Sequence, residues 1–450
     1  NINLRLIDLS IIKVLEEAKL SKFHYILLVV CSLIYCFTAM NVMLIAAVLT
    51  PIIKDFGLEK DPFLSGILVS SGYVGMFLGA LSCGILADHI GRRKTLIITT
   101  LTMSIFTALN AFARDPLTMI FLRFIAGIGL GGSLPQPGVY ISEYVPSKYR
   151  GRFLGLVETS WVYGALLSLL FPYIILPRLG WRLTFFIALI PLFLIPLILL
   201  YTPESLRYMQ IKGMFNEAIN TIKRYGLFTG EINAKDLFTS IEKYNVYEAL
   251  RELWSKNYWN RTLLLWILWI VLVYTYHGIF IWLPTIYFME FGITIVKSIE
   301  WTLMVTLAQI PGYYSATLML DRIGRKPILI LYLALAGFGS LMLGLSIEVS
   351  HILLWSVVIS FFNLGAWSGL YAYTPELYPT RIRGTGSGTA ASMGRIAGII
   401  APTATPLLYT YFGLKTAFIV FSLIHFIGSL ATLIFGIETK GKVLEELAKN

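Results

Sequence analysis

Polar and apolar positions alternate on a long scale along this chain. Twelve apolar runs occur, at 24–50, 63–87, 95–113, 116–140, 153–176, 183–201, 262–289, 299–319, 327–347, 352–374, 385–411 and 415–436. A helix that crosses a bilayer needs about 20 apolar residues, so each run predicts one span, numbered 1 to 12 in order. A lone strand in lipid would leave backbone groups unpaired. The runs are also too long and too uniformly apolar for barrel strands. The pattern predicts an all-α membrane protein of twelve transmembrane helices.

The polar gaps set the organisation. Most are short, and the sizeable one is 202–260. Within it, "MFNEAINTIKRYG" places Met214, Phe215, Ala218, Ile219 and Ile222 on one helical face, with Glu217, Asn220, Lys223 and Arg224 off it. This predicts short amphipathic helices on the bundle or the membrane surface. The expected division is a lead at 1–23, a six-helix bundle at 24–201, a linker at 202–260, a second six-helix bundle at 261–436 and a tail at 437–450. The lead reads as a short amphipathic segment and not as a cleavable signal peptide.

The two bundles repeat each other. "GILADHIGRRK" at 84–94 is answered by "MLDRIGRK" at 319–326, so Asp88 and Asp321, Gly91 and Gly324, and Arg92 and Arg325 each differ by 233 positions. "EYVPSKYRG" at 143–151 and "ELYPTRIRG" at 376–384 share E-x-x-P-x-x-x-R-G at the same offset, and "GWRLTFF" at 180–186 answers "GLKTAFI" at 413–419. "PESLR" at 203–207 is echoed by "IETKG" at 437–441, one residue further on. Features kept in one order at one offset imply tandem duplication of six spans. Six is even, so the repeats run parallel, with a pseudo-two-fold axis along the membrane normal and a substrate site at mid-depth between them.

Composition agrees. Hydrophobic residues make up 57% of the 450 and charged residues 14%, with a mean hydropathy of +0.74, against about 25% charged in soluble domains. The net charge of +11 is spread by topology and forms no nucleic-acid patch. Apart from the central segment, the even-numbered loops hold eleven Lys and Arg and the odd-numbered loops seven. Positive charge marks the cytoplasmic side, so both termini and the linker are expected there, in a multi-pass protein of the cell membrane. Cys31, Cys36 and Cys83 lie in apolar runs and offer no disulfide framework or metal-ligand spacing. No metal and no cofactor are expected. The expected partners are a small-molecule substrate, protons and membrane lipids, and the expected state is a monomer.

Ionisable residues within spans are costly and functional by default. Arg395 lies about ten residues into span 11, so about 15 Å deep at 1.5 Å per residue. Gly388, Ala390, Ala391, Gly394 and Gly398 leave room around it. Arginine grips a carboxylate bidentately, so Arg395 is either a substrate ligand or half of a structural ion pair with Glu158. Glu158, six residues into span 5, is either a proton site or an interior hydrogen-bonding group. Arg123 precedes the glycines of "RFIAGIGLGG", which suit close helix packing. They form no nucleotide loop, since no strand precedes them and no Lys-Ser/Thr pair closes them. His277, with Tyr274 and Tyr276 in span 7, either lines a cavity, titrates or is satisfied by a neighbour. Asn363, Trp367 and Tyr371 share one face of span 10, as interior packing or as cavity lining.

The duplicated "G-x-L-A-D-x-x-G-R-R-K" loop, the paired E-x-x-P-x-x-x-R-G loops and "PES…ETKG" resemble the major facilitator superfamily over essentially the whole chain. "QIPGYYSATLMLDRIGRK", "HGIFIWLP" and "MGRIAGIIAP" resemble its organic-ion transporters and synaptic-vesicle-glycoprotein relatives, in the branch that also holds sugar porters. The resemblance implies a cytoplasmic gate in which Asp88 and Arg92, with Asp321 and Arg325, tie span 2 to span 11. Glu143, Arg150, Glu376 and Arg383 complete it. It implies anion binding for Arg395 and proton coupling for Arg123. One departure stands out. The synaptic-vesicle relatives carry acids in a "D-A-M-E" stretch of span 1, where this chain reads "TAMN", Thr38 to Asn41. That shifts any proton role toward Glu158 or His277.

The expected function is secondary active transport of a small organic anion or polar metabolite by alternating access. Arg395, Asn41, His277, Tyr274, Asn363 and Trp367 are the candidate substrate residues. A sugar transporter of the same superfamily is the rival substrate reading, although "YTYHGIFIWLP" lacks a double glutamine. A transport-fold nutrient receptor is the rival of another class. An enzyme is not expected, and no nucleotide domain has room to drive an ATP-powered pump.

Overall fold

A computed structural model describes residues 18–227 and 246–440. The described residues are helical without strands. Span 1 is Lys22–Asp55, span 2 Pro62–Ile90 and span 3 Arg92–Leu109. Span 4 is broken into Pro116–Ser133 and Gln136–Tyr144, because Pro135 and Pro137 donate no backbone hydrogen bond. Spans 5 and 6 fall within Ser147–Thr184, Phe185–Phe193 and Leu194–Tyr201.

In the second half, span 7 is Trp259–Phe280 with Leu283–Phe291, and span 8 is Ile295–Leu307 with Gln309–Ile323. Span 9 is Arg325–Leu345 and span 10 Val349–Glu376. Spans 11 and 12 share the helical run Thr380–Phe435.

Nine helical stretches among the described residues have the length and hydropathy to cross a membrane. Two of these are 54 residues long and turn back at Gly180 (φ 74°) and Gly413 (φ 81°). Only glycine takes that backbone cheaply, and the two positions are repeat-equivalent. Span 8 is absent from the nine because it is interrupted at Ala308. Twelve spans result, as the apolar runs predict.

Within the first half, span 1 packs on span 5 and span 2 on span 4; within the second, span 8 packs on span 10 and span 9 on spans 10 and 12. The span 4 glycines act by proximity. A Cβ on Gly127 would strike the Gly72 carbonyl, and one on Gly131 the Met76 carbonyl. Between halves, span 2 meets span 11 and span 5 meets span 8.

The central segment is shared out. Leu206–Ile211 and Phe215–Arg224 dock on the first half, where Ala218 and Ile222 join Phe23, Leu27 and Tyr144 in one buried cluster. Phe215, expected on that apolar face, is 37% exposed. Val246–Leu253 docks on the second half through Ala249 and Leu253. An even number of spans brings residues 18 and 440 to one side, called basal here; the opposite side is distal.

Candidate functional site

A cavity of about 210 Å³ lies between the halves. Span 1 supplies Tyr35, span 2 Tyr73 and span 5 Glu158 and Trp161. From the other half come Trp269, Tyr276 and His277 of span 7, Tyr313 of span 8, Trp367 and Tyr371 of span 10 and Arg395 of span 11. The walls are aromatic, with one carboxylate and one guanidinium.

The polar groups are held asymmetrically. Glu158 accepts a hydrogen bond from the Tyr35 hydroxyl, and the Tyr371 hydroxyl of the other half belongs to the same cluster. Trp161 Nε1 donates to the Tyr276 hydroxyl at 2.9 Å across the halves. His277 Nδ1 lies 3.0 Å from the Val273 carbonyl. A carbonyl only accepts, so Nδ1 carries a proton, and in the neutral ring Nε2 is then an acceptor. Tyr73 packs edge-on against His277, with ring centroids 4.9 Å apart at 73°.

Arg395 is unlike these. It makes no hydrogen bond or ion pair with any described residue, and it shares the cavity wall with Tyr35, Tyr73 and Tyr371. Gly394 and Gly398 keep the backbone beside it close to spans 7 and 2. A Cβ on Gly394 would lie 3.0 Å from Val273 Cγ2, and one on Gly398 3.3 Å from Tyr73 Cδ1. The repeat offset of 233 puts Val162 opposite Arg395 and Ala391 opposite Glu158, and all four line the cavity. Both charges therefore occupy wall positions whose symmetry mates are apolar.

Of the residues singled out from sequence, Arg395, Glu158, Tyr276, His277, Trp367 and Tyr371 meet at this cavity. Tyr274 turns instead toward Phe421, at 5.9 Å between centroids. Asn363 is fully buried inside the second half, donating to Thr275 Oγ1 at 2.9 Å with His425 Nε2 at 3.1 Å. Asn41 and Arg123 line a separate small chamber within the first half. Tyr35, Tyr73, Trp161, Trp269 and Tyr313 were not singled out from the sequence. Aromatics make up 14% of the chain, and nothing in their type marks which ones face inward.

The charged corners form two copies of one basal network. Arg92 Nη1 pairs with Glu143 Oε1 at 2.6 Å, and Arg325 Nη2 with Glu376 Oε1 at 3.1 Å. Arg150 Nε donates to the Val145 carbonyl at 3.2 Å, and Arg383 Nε to the Tyr378 carbonyl at 3.4 Å. Glu204 Oε1 accepts from the Arg92 amide at 2.6 Å and the Arg93 amide at 3.2 Å. In the second copy, the Glu438 carboxylate accepts from the Arg325 and Lys326 amides at 3.0 and 3.1 Å. Each carboxylate caps the start of a span, where free amides and the helix dipole favour negative charge. Asp321 contacts Arg325 at 3.3 Å, while Asp88 is exposed with no hydrogen bond or ion pair among the described residues. Among the described residues, Asp88, Arg92, Asp321 and Arg325 make no ion pair between spans 2 and 11, and the pairs named above lie within one half each.

The halves touch instead on the distal side. Ser70 Oγ of span 2 lies 2.7 Å from both the Ile399 carbonyl and Thr403 Oγ1 of span 11. Thr50 and Thr285 hydroxyls meet at 3.0 Å, and Lys54 Nζ sits 4.1 Å over the Phe288 ring. Basally, a Cβ on Gly84, Gly151, Gly155, Gly384 or Gly388 would meet nothing within 4 Å. The structure is closed distally and open basally.

Comparisons with known proteins fit this architecture. Residues 37–450 match the family model described as sugar (and other) transporter. The chain is 37% identical over 440 residues to the niacin transporter NiaP of Acinetobacter baylyi, covering 98% of this chain and all of that one. The chain belongs to the major facilitator superfamily. It is 28% identical to the gallate transporter of Pseudomonas putida, over 89% of this chain and 91% of the other. Among solved structures, the partially occluded inward-open form of the xylose transporter XylE from E. coli matches with a TM-score of 0.73 at 18% identity, covering 94% of this chain and all of that one. That likeness concerns the fold. As a member of the superfamily the protein is a multi-pass membrane transporter of small molecules and not an enzyme.

Proposed function

We propose that this transporter moves a small aromatic carboxylate by alternating access, with Arg395 as the anion ligand. The observation that carries the reading is the Arg395 guanidinium, on the cavity wall without an ion-pair partner among the described residues. A charge in that position is costly unless a ligand completes it. The aromatic walls suit a flat ring, and the modest cavity volume suits one ring. Niacin and gallate, in the names of the two relatives, are both single-ring carboxylic acids.

Glu158 serves as the proton carrier in this reading. It is the one carboxylate among the described cavity residues, and a proton on it balances the charge of the incoming anion. Arg123 takes no part in the proton path, and His277 orients substrate through Nε2. The basal side is cytoplasmic, as the loop charges favour, and the chain acts as a monomer in the cell membrane. Its two six-span units, 24–201 and 261–436, rock about the site, and the charged network of Asp88, Arg92, Glu143 and Arg150 with Asp321, Arg325, Glu376 and Arg383 re-pairs as the basal side closes.

Proteoliposome uptake tests this. Labelled nicotinate should enter and labelled glucose should not, with stimulation by an inward proton gradient that Glu158→Gln removes. Charge-assisted hydrogen bonds are worth about 1.5–3 kcal/mol, so Arg395→Ala should lower carboxylate uptake at least about ten-fold. Its effect on the neutral amide analogue should be much smaller. Equal loss for both ligands, or glucose uptake in place of acid uptake, would refute the assignment.

A further inference from the structure

The first half contains a second polar chamber, apart from the central cavity. It holds about 20 Å³ and is walled by Asn41 of span 1, Gly72 and Tyr73 of span 2, Asn110 at the end of span 3 and Arg123 of span 4. About 10–15 Å³ of such space admits one water-sized particle. The chamber therefore fits a single monatomic ion or a water and excludes a carboxylate, phosphate or sulfate.

Its lining is deeply buried and incompletely bonded. Arg123 is 9% exposed. Its Nε donates to the Leu68 carbonyl at 2.8 Å and Nη2 to the Val69 carbonyl at 3.4 Å. The guanidinium lies against span 2 at Gly72, where a Cβ would come within 3.2 Å of Nη2. No acid among the described residues lines the chamber or pairs with Arg123. Asn41, 3% exposed, leaves both amide atoms without a partner. The Tyr73 hydroxyl, on a residue 4% exposed, also lacks one, as does Asn110 Oδ1.

A buried cation without a counter-charge is far costlier than a buried neutral group. Water satisfies hydrogen bonds but leaves the charge standing. An anion supplies the counter-charge and accepts from the two donors of the chamber, Asn41 Nδ2 and the Tyr73 O–H, while the amide oxygens of Asn41 and Asn110, which only accept, must turn away from it. We propose that Arg123, Asn41 and Tyr73 bind a chloride ion as the counter-ion of Arg123 inside the first half. Tyr73 is shared: it lines this chamber and the central cavity, where it packs on His277. Chloride occupancy thus fixes the hydroxyl of a residue that shapes the transport site.

The test uses the full chain purified in detergent, at constant ionic strength, with chloride exchanged for gluconate. Wild-type protein should melt at a higher temperature as chloride rises, with saturation, and crystals soaked in bromide should show an anomalous peak beside Arg123. Asn41→Asp supplies a fixed carboxylate, and its melting temperature should not respond to chloride. Should that variant fail to fold, Tyr73→Phe serves. A hydrogen bond to a charged partner is removed, so half-saturating chloride should rise about ten-fold or more. No saturable chloride effect in the wild type, a bromide peak elsewhere, or an unchanged response in the folded variants would overturn the proposal.

Discussion

The distal seal rests on backbone contact at Gly66. A Cβ there would lie 2.6 Å from Thr403 Cα and 3.2 Å from both the Pro402 carbonyl and Thr403 Cβ. The obstacle is main chain, which cannot swing aside as a side-chain tip would. One turn along, Ser70 reaches the Ile399 carbonyl and Thr403 Oγ1 at 2.7 Å, so spans 2 and 11 cannot part at Gly66 without straining those bonds. Gly66→Val should therefore cost the distally closed state about 1–3 kcal/mol from overpacking and about 0.5–1.5 kcal/mol for each Ser70 bond lost. With both Ser70 bonds lost the cost is about 2–6 kcal/mol, so at 1.4 kcal/mol per factor of ten the closed-to-open ratio should fall by at least about thirty-fold and by up to about 20,000-fold. Spin labels on cysteines placed at Glu59 and Thr410, exposed on opposite sides of the distal cleft, would report this by double electron–electron resonance. The native cysteines are buried and should not label. Gly84→Ala, whose Cβ meets nothing within 4 Å, is the control and should leave the distances alone. If Gly66→Val folds and its distance distribution matches wild type, contact at Gly66 does not govern distal closure.

Three further outcomes follow from the loops and caps. Glu438→Ala removes the carboxylate that holds the first amides of span 9, and should destabilise the protein by about 1–2 kcal/mol in denaturant melts followed by tryptophan fluorescence. Asp88→Asn, at an exposed and unbonded position, should change stability by less than about 0.5 kcal/mol yet alter transport rate more than substrate affinity; unchanged turnover would remove Asp88 from the gate. Asp115, between spans 3 and 4, has its pKa lowered by hydrogen bonds from the Thr118 hydroxyl and then the Thr118 amide. A lowered folded-state pKa gives stability that is present above the ordinary carboxylate value of about 3.9 and lost as pH falls through the depressed one. The melting-temperature deficit of Asp115→Ala should accordingly be largest near neutral pH and narrow under acid conditions.

Much of the architecture was legible in the chain itself. Length and apolarity of the runs dictate helices in lipid because unpaired backbone has no alternative there. The offset of 233 between Gly91 and Gly324, or Glu143 and Glu376, reveals the duplication without any contact map. Arg395 and Glu158 also stood out alone, because an ionisable group at that depth needs a reason. What remained hidden depends on rotation and translation of one helix against another. Asn363 and Trp367 lie four residues apart on one face of span 10, yet one bonds within its own half and the other lines the cavity. Asn41 looked like a substrate ligand until the packing of spans 1 to 4 put it in a separate chamber with Arg123. The aromatic walls are the plainest case. Tyrosine and tryptophan serve equally in lipid-facing, packed and cavity positions, so only the docking of twelve helices selects which of them meet a solute. The charged loops show the same limit. Sequence paired Asp88 and Arg92 as one latch. The tertiary structure joins Arg92 to Glu143 and Glu204, because the spans that start and end there are brought together within one half while the basal side stands open.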